Sequence, residues 1–233
     1  MISCIVPLAG PDFNTEKHGI KPLVPIDGEP LIKKVLKSRT WYNSLLGEEA
    51  ITFVLRDTEG TEKVISYLQE EFSGCHFVKL SGLSKGALLS ALAGAALLNN
   101  YDQPVVVDLV DIIFQSELNP VEIFANNPFI GGIIPYFKSN NPQYSYLEMS
   151  GQWVKQTAEK KVISNAVSAG VYFFRDLPLF LEAAADSIRF DKLYSYNNTM
   201  FLCPAMNGII RRNKLVKAVP VQDVVELSLL FHT

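Results

Sequence analysis

Four short apolar runs separated by amphipathic stretches leave few folds open to the first 111 residues of this chain. The runs are 2–8, 51–55, 76–80 and 105–109. They are too short for buried helices and too continuously apolar for strands with one wet face. Each reads as a strand of a sheet covered on both sides. Between them, 31–38 sets Leu31, Val35 and Ser38 on one helical face, opened by Pro30 after Asp27-Gly28. The stretch 61–71 repeats Val64, Ile65 and Leu68 at helical spacing, and 84–99 aligns Leu88, Leu92, Ala95 and Ala96. Alternation of this kind builds parallel strands joined by crossover helices.

From 116 onward the pattern changes. Strands are predicted over 130–136, 145–149, 153–158 and 168–174, with Ser150-Gly151 as a hairpin turn. A helix follows over 176–185, then a helical segment over 204–212, a strand over 215–219 and a closing helix over 224–230. Neither an internal repeat nor a low-complexity linker interrupts the chain. The expected architecture is one α/β domain over 1–233 with a three-layer, doubly wound, mostly parallel sheet. Its first half is 1–115 and its second, mixed half is 116–233.

With 48% hydrophobic and 19% charged residues, the composition suits such a buried sheet. A net charge of −3 without a Lys/Arg run argues against nucleic acid as the main partner. The apolar stretches, such as 86–98, are too short for a bilayer, so no membrane partner is expected. The start of the chain has no basic region and no cleavage pattern, and it reads as cytoplasmic. Cys4, Cys75 and Cys203 are far apart and lack metal-ligand spacing, so reduced, structural thiols are expected.

Ligands of open α/β sheets collect at the carboxyl ends of the strands, near the switch in strand order. Two places qualify. The loop after Leu8 contains Gly10, Lys17, His18, Gly19 and Lys21, whose cations and backbone N–H groups suit a polyphosphate. An ordinary solvated loop is the alternative. The fourth strand ends Asp108-Leu109-Val110-Asp111. An Asp at the end of a buried strand needs a partner, and Mg²⁺ with phosphate oxygens is a good one. Ser116 or Asn119 can cap the helix that follows, so Asp111 is not needed for capping.

Val6-Pro7-Leu8-Ala9-Gly10, then Lys21-Pro22-Leu23 and Asp27-Gly28-Glu29-Pro30-Leu31, resemble the start of sugar-phosphate nucleotidyltransferases (nucleoside-diphosphate-sugar pyrophosphorylases). Further matches follow in order. Gly82-Leu83-Ser84-Lys85-Gly86-Ala87 resembles the loop beside the base, and Asp111 the metal-binding Asp. Glu159-Lys160 resembles the acceptor-binding pair, and Ser168-Ala169-Gly170-Val171-Tyr172-Phe173 the Gly-containing strand after it.

The resemblance implies a Rossmann-like nucleotide-diphospho-sugar transferase fold with a nucleotide-binding first half and an acceptor-binding second half. It implies Mg²⁺-dependent joining of a nucleoside triphosphate to a sugar phosphate or other phosphorylated small molecule, with pyrophosphate released. Synthesis of surface-polysaccharide or cell-envelope precursors is the implied setting. Lys21 and Asp111 would be catalytic. Leu8, Ala9, Gly10, Lys21, Gly82, Ser84 and Gly86 would bind the nucleotide. Glu159, Lys160, Gly170 and Asn207 would bind the acceptor, and Asp111 with Asp223 would hold Mg²⁺.

The family's first loop continues Gly-x-Gly-x-Arg, whereas this chain has Gly10-Pro11-Asp12-Phe13-Asn14. Pro11 has no N–H for a phosphate, and no Arg stands at that spacing, with Lys17 and His18 the cations nearby. Asp223 and Glu226 also fit a helix start, Glu159-Lys160 a solvated strand end, and Tyr144, Tyr146, Trp153, Tyr194 and Tyr196 either core or a stacking surface. Two other activities stay open: a nucleotide- or sugar-phosphate-binding protein without turnover, and a glycosyltransferase of related fold. The second usually carries Asp-x-Asp, where this chain has Asp108-Leu-Val-Asp111.

Overall fold

In the central strands successive side chains divide between two cores, one on each side of the sheet. A computed structural model describes residues 1–44 and 50–227. The four apolar runs form parallel strands β1 (Ser3–Pro7), β2 (Ile51–Arg56), β3 (His76–Leu80) and β4 (Val105–Asp108). Cys4, Val6 and Val106 enter one core, and Ile5, Val105 and Val107 the other. All six are buried, which is why the runs do not alternate. Helices α1 (Leu31–Lys37) and α2 (Thr61–Glu71) cover the first core with Leu31, Val35, Val64 and Leu68. Helix α3 (Ala87–Ala95) covers the second with Leu88 and Ala91.

The strands that follow are β5 (Ile112–Gln115), β6 (Ile130–Lys138), β7 (Ser145–Ser150), β8 (Trp153–Glu159), β9 (Ala166–Ser168), β10 (Val171–Phe174), β11 (Leu215–Pro220) and β12 (Gln222–Glu226). The remaining helices are α4 (Pro120–Asn126), α5 (Leu177–Arg189), α6 (Asp191–Tyr194) and α7 (Leu202–Arg211). Asn119 caps α4 by accepting from the Glu122 N–H, and Asp176 caps α5 by accepting from that of Leu179. α4 adds Phe124 to the first core, and α5 and α7 add Phe180, Ala183, Met206 and Ile209 to the second. The fold is thus the three-layer α/β arrangement expected.

The ten-stranded sheet runs β9-β7-β8-β11-β6-β10-β4-β1-β2-β3. β1 lies between β2 and β4, so the strand order switches at the β1/β4 boundary. β10 joins β4 antiparallel, with Val171 opposite Asp108, and carries the sheet into the second half. There β9 pairs with both β7 and β6, so five strands close on themselves.

Two expectations are corrected. The strand predicted over 168–174 is two strands, broken at Ala169-Gly170, where Gly170 takes φ +75°. The break lets β9 leave for β7 while β10 stays beside β4. The closing helix predicted over 224–230 is, as far as Glu226, strand β12, and 228–230 lie outside the described residues. β5 needs a partner for its backbone groups, and the end of the chain supplies it, with Val225 opposite Ile113 and Glu226 opposite Ile112.

Candidate active site

The switch point brings together the loops after β1 and β4, and Lys21 lies between them. Its ammonium donates to Asp12 Oδ2 at 2.5 Å and to Asp111 Oδ1 at 2.7 Å. Leu8 extends β1 by one residue through its N–H to the Val54 carbonyl, and Ala9 is buried behind it. Lys21 then opens a short turn, Lys21–Leu23, after its own N–H has bonded the Phe13 carbonyl at 2.8 Å. Burial lowers the Lys21 pKa, but the charges and hydrogen bonds of Asp111 and Asp12 outweigh it, so the ammonium form is strengthened. Lys17 and His18 sit in the turn of the 14–20 hairpin, and Lys17 is exposed.

Asp111 is aimed by a buried construction just behind it. Asp108 is fully buried and accepts from Arg39 Nε at 2.8 Å and Nη2 at 3.1 Å. Its Oδ1 also accepts from the Val110 N–H at 2.9 Å. Val110 has φ +53°, a left-handed conformation that costs a β-branched residue on the order of 1–3 kcal/mol. The Asp108 bond holds it there, and the chain emerges with Asp111 beside Lys21. Arg39 comes from just beyond α1, donates to the Ile112 carbonyl and lies 4.3 Å over the Phe114 ring. Nothing local in the sequence pairs Arg39 with Asp108. Sequence reasoning missed it, as it missed Asp12 as a partner of Lys21.

The 82–86 loop lies against the hairpin formed by 195–196 and 199–200, through the Met200 N–H to the Lys85 carbonyl at 2.7 Å. Gly86 has φ +120°, and a Cβ there would come within 2.2 Å of the Met200 carbonyl oxygen, so only glycine fits. Its conformation also delays the helix predicted from 84, which begins at Ala87. Ser84 Oγ donates to the Gly86 carbonyl and shares a hydrogen bond with Ser90 of α3, while Gly82 is exposed.

The Glu159-Lys160 pair is reached from Asp111 by three contacts. Leu227 N–H donates to the Asp111 carbonyl, the neighbouring Glu226 carboxylate accepts from Tyr144 Oη, and the Tyr144 carbonyl accepts from the Lys160 N–H. Lys160, at φ +49°, holds its ammonium 5.5 Å from the ring centres of both Tyr196 and Phe201. Tyr196 and Phe201 thus form an aromatic surface beneath a cation. Tyr146 is buried instead, and its hydroxyl bonds the Asn141 carbonyl. Gly170 lies instead beside the end of β4, with its carbonyl accepting from the Leu109 N–H at 3.0 Å.

Burial pushes the Glu159 carboxyl up to about 7, against the hydrogen bond from Ser145 and the charge of Lys160, which pull it down. The folded state therefore keeps this proton at pH values where the unfolded carboxyl has released it. Folded chains bind more protons between the ordinary carboxyl range and about pH 7, so stability falls as pH rises through that window. Glu159→Gln should remove the fall, raising the urea midpoint at pH 8 and barely changing it at pH 5. Equal shifts at both pH values would contradict this.

Two expected site residues lie elsewhere. Asn207 is buried with its side chain committed at both ends to Thr157, accepting from the N–H at 2.9 Å and donating to the carbonyl at 3.0 Å. That amide locks α7 onto β8 instead of facing an acceptor. Asp223 is exposed at φ +50° in a bulge of β12, between Gln222 opposite Gln115 and Val225 opposite Ile113. The strand pairing that replaces the expected helix sets Glu226, not Asp223, alongside the residue after Asp111. A cavity of about 1310 Å³ opens elsewhere, lined by Thr40, Gln115, Asn119, Trp153 and Lys217 among others and by none of these site residues.

Neither a family model nor a curated protein sequence matches the chain. Solved structures do. A nucleoside-diphosphate-sugar pyrophosphorylase from Vibrio cholerae RC9 superposes with a TM-score of 0.80 at 20% identity, covering 97% of this chain and 95% of that one. A UDP-glucose pyrophosphorylase complexed with UDP-glucose gives 0.68 at 18%, covering 95% and 91%. The inositol-1-phosphate CTP transferase from T. maritima gives 0.66 at 12%, covering 96% and 86%. Over nearly its whole length, this chain has the fold of the nucleoside-diphosphate-sugar pyrophosphorylases and related nucleotidyltransferases.

Proposed function

We propose that the chain is a nucleotidyltransferase that joins a nucleoside triphosphate to a phosphorylated small molecule and releases pyrophosphate. The observation that supports this reading best is the Asp12–Lys21–Asp111 cluster at the strand-order switch, linked through Glu226 and Tyr144 to Glu159-Lys160. A cation between two carboxylates thus stands at one end of this chain of contacts and a carboxyl–ammonium pair at the other. The solved structures of this fold include a putative glucose-1-phosphate thymidylyltransferase and a UDP-glucose pyrophosphorylase, so a sugar phosphate is the acceptor class proposed, with synthesis of surface-polysaccharide or cell-envelope precursors in the cytoplasm as the setting.

In the reaction, an oxygen of the acceptor phosphate attacks the α-phosphorus of the triphosphate in line. A new P–O bond forms as the bond to the β-phosphate oxygen breaks, and pyrophosphate leaves with the bonding electron pair. Chemistry of this kind depends on positioning and on charge stabilisation. Lys21 places its ammonium against the charge that develops on the phosphates. The 82–86 loop offers backbone groups beside the base. Lys160 meets the acceptor phosphate, and Glu159 hydrogen-bonds acceptor hydroxyls.

The donor set suits Mg²⁺, since two carboxylate oxygens already converge on one cation. No group of three or more His, Cys, Asp or Glu side chains among the described residues would cage a metal. Mg²⁺ usually takes only one or two carboxylates and completes its shell with phosphate oxygens and water. Asp111 would hold it, and when bound it would neutralise charge on the leaving pyrophosphate.

The test is pyrophosphate release from CTP, UTP, GTP, ATP or dTTP, with Mg²⁺, across a panel of sugar 1-phosphates and phosphorylated alcohols. One nucleotide–acceptor pair should stand out. Nucleotide binding without release across the panel would reject transfer in favour of a binding protein.

A further inference from the structure

Asp12 occupies a position in the first loop that its own backbone determines. The next residue, Phe13, is 2% exposed in the core shared with α1 and α2, and its N–H bonds the Gly10 carbonyl at 3.3 Å. The Phe13 carbonyl in turn accepts from the Lys21 N–H. This turn folds the Asp12 side chain back over Gly10, where a methyl group would lie 2.7 Å from Asp12 Oδ1. Anchoring by Phe13, and not a flexible reach, presents the carboxylate to Lys21.

The consequence is electrostatic. Lys21 has both neighbouring carboxylates on its ammonium, and the three side chains carry one net negative charge. A metal-free polyphosphate would meet that charge and find the ammonium already engaged. A divalent cation held by the same two oxygens would displace the ammonium from between them, make the net charge positive and leave Lys21 available to phosphate.

We propose that Asp12 is a positioning residue that makes polyphosphate binding conditional on a divalent cation. Without metal, Asp12 and Asp111 hold Lys21 back; with metal, the two carboxylates hold the ion. The inference rests on the reading of this site as a polyphosphate pocket.

Two binding measurements on the full chain test it without turnover: Mn²⁺ binding by electron paramagnetic resonance, and inorganic pyrophosphate binding by calorimetry with and without Mg²⁺. The wild type should bind pyrophosphate on the order of tenfold or more tightly with Mg²⁺. Asp12→Asn should weaken Mn²⁺ binding by a similar factor and allow metal-free pyrophosphate to bind. Asp12→Glu should keep the metal dependence, which separates charge from loop damage. Mn²⁺ affinity unchanged in Asp12→Asn, or wild-type pyrophosphate affinity indifferent to Mg²⁺, overturns this inference and leaves the pocket intact. If no variant binds pyrophosphate under any condition, the pocket reading falls and this inference falls with it.

Discussion

Lys21→Ala should lower kcat/KM for pyrophosphate release by a factor on the order of 10²–10³, about 3–4 kcal/mol of transition-state stabilisation. The loss should fall mainly on kcat, because the ammonium opposes charge that grows as the α-phosphorus changes partners. Fold stability should change less than for a fully buried pair. The Lys21 side chain is 13% exposed and both carboxylates 29%, so water can solvate the carboxylates left behind, and the loss should stay below the roughly 3–5 kcal/mol of breaking a buried pair. Lys21→Arg should recover part of the rate, since it restores charge but presents a planar fork in place of a compact ammonium. Steady-state kinetics on the best nucleotide–acceptor pair decides the matter. A decrease of less than about threefold would remove Lys21 from the chemistry.

Asp108→Asn should destabilise the protein by about 3–5 kcal/mol, because it leaves the Arg39 guanidinium buried without its counter-charge. Arg39 and Asp108 side chains are 1% and 0% exposed, so water cannot substitute for the lost carboxylate. For a domain of this size the melting temperature should fall by roughly 6–20 °C. The Asn side chain can still accept from the Val110 N–H, so the left-handed turn before Asp111 is retained. Combining Arg39→Met with Asp108→Asn should therefore recover much of the loss, since the unpaired charge is gone. Urea unfolding of both variants measures the difference. A single-variant effect under about 1 kcal/mol, the range of an exposed pair, would contradict the buried-pair account.

The resemblance pointed to Lys21 and Asp111 together, and the structure brings them within a hydrogen bond. Asp12 stands in the same loop, Gly10-Pro11-Asp12-Phe13-Asn14, but sequence spacing does not say which way a loop carboxylate points. Phe13 decides that. Asn207 illustrates the reverse error, because a family motif drew attention to an amide that packing commits to Thr157. Gly86 was assigned to the base loop, yet its need for glycine comes from Met200, more than a hundred residues away.

Local chemistry along the chain was sufficient for the α/β class and most strands and helices, and it directed attention to the loops after β1 and β4. The class and the elements follow from apolar period, capping residues and turn residues, which act within a few positions of one another. Tertiary structure decided the rest. Arg39 meets Asp108 across 69 positions and Lys21 meets Asp111 across 90. Residues 222–226 form a strand, where a helix was expected from 224, because β5 offered them an unpaired edge. Such pairings depend on strand order and on which buried charge or backbone group still lacks a partner, and those exist only once the sheet has assembled.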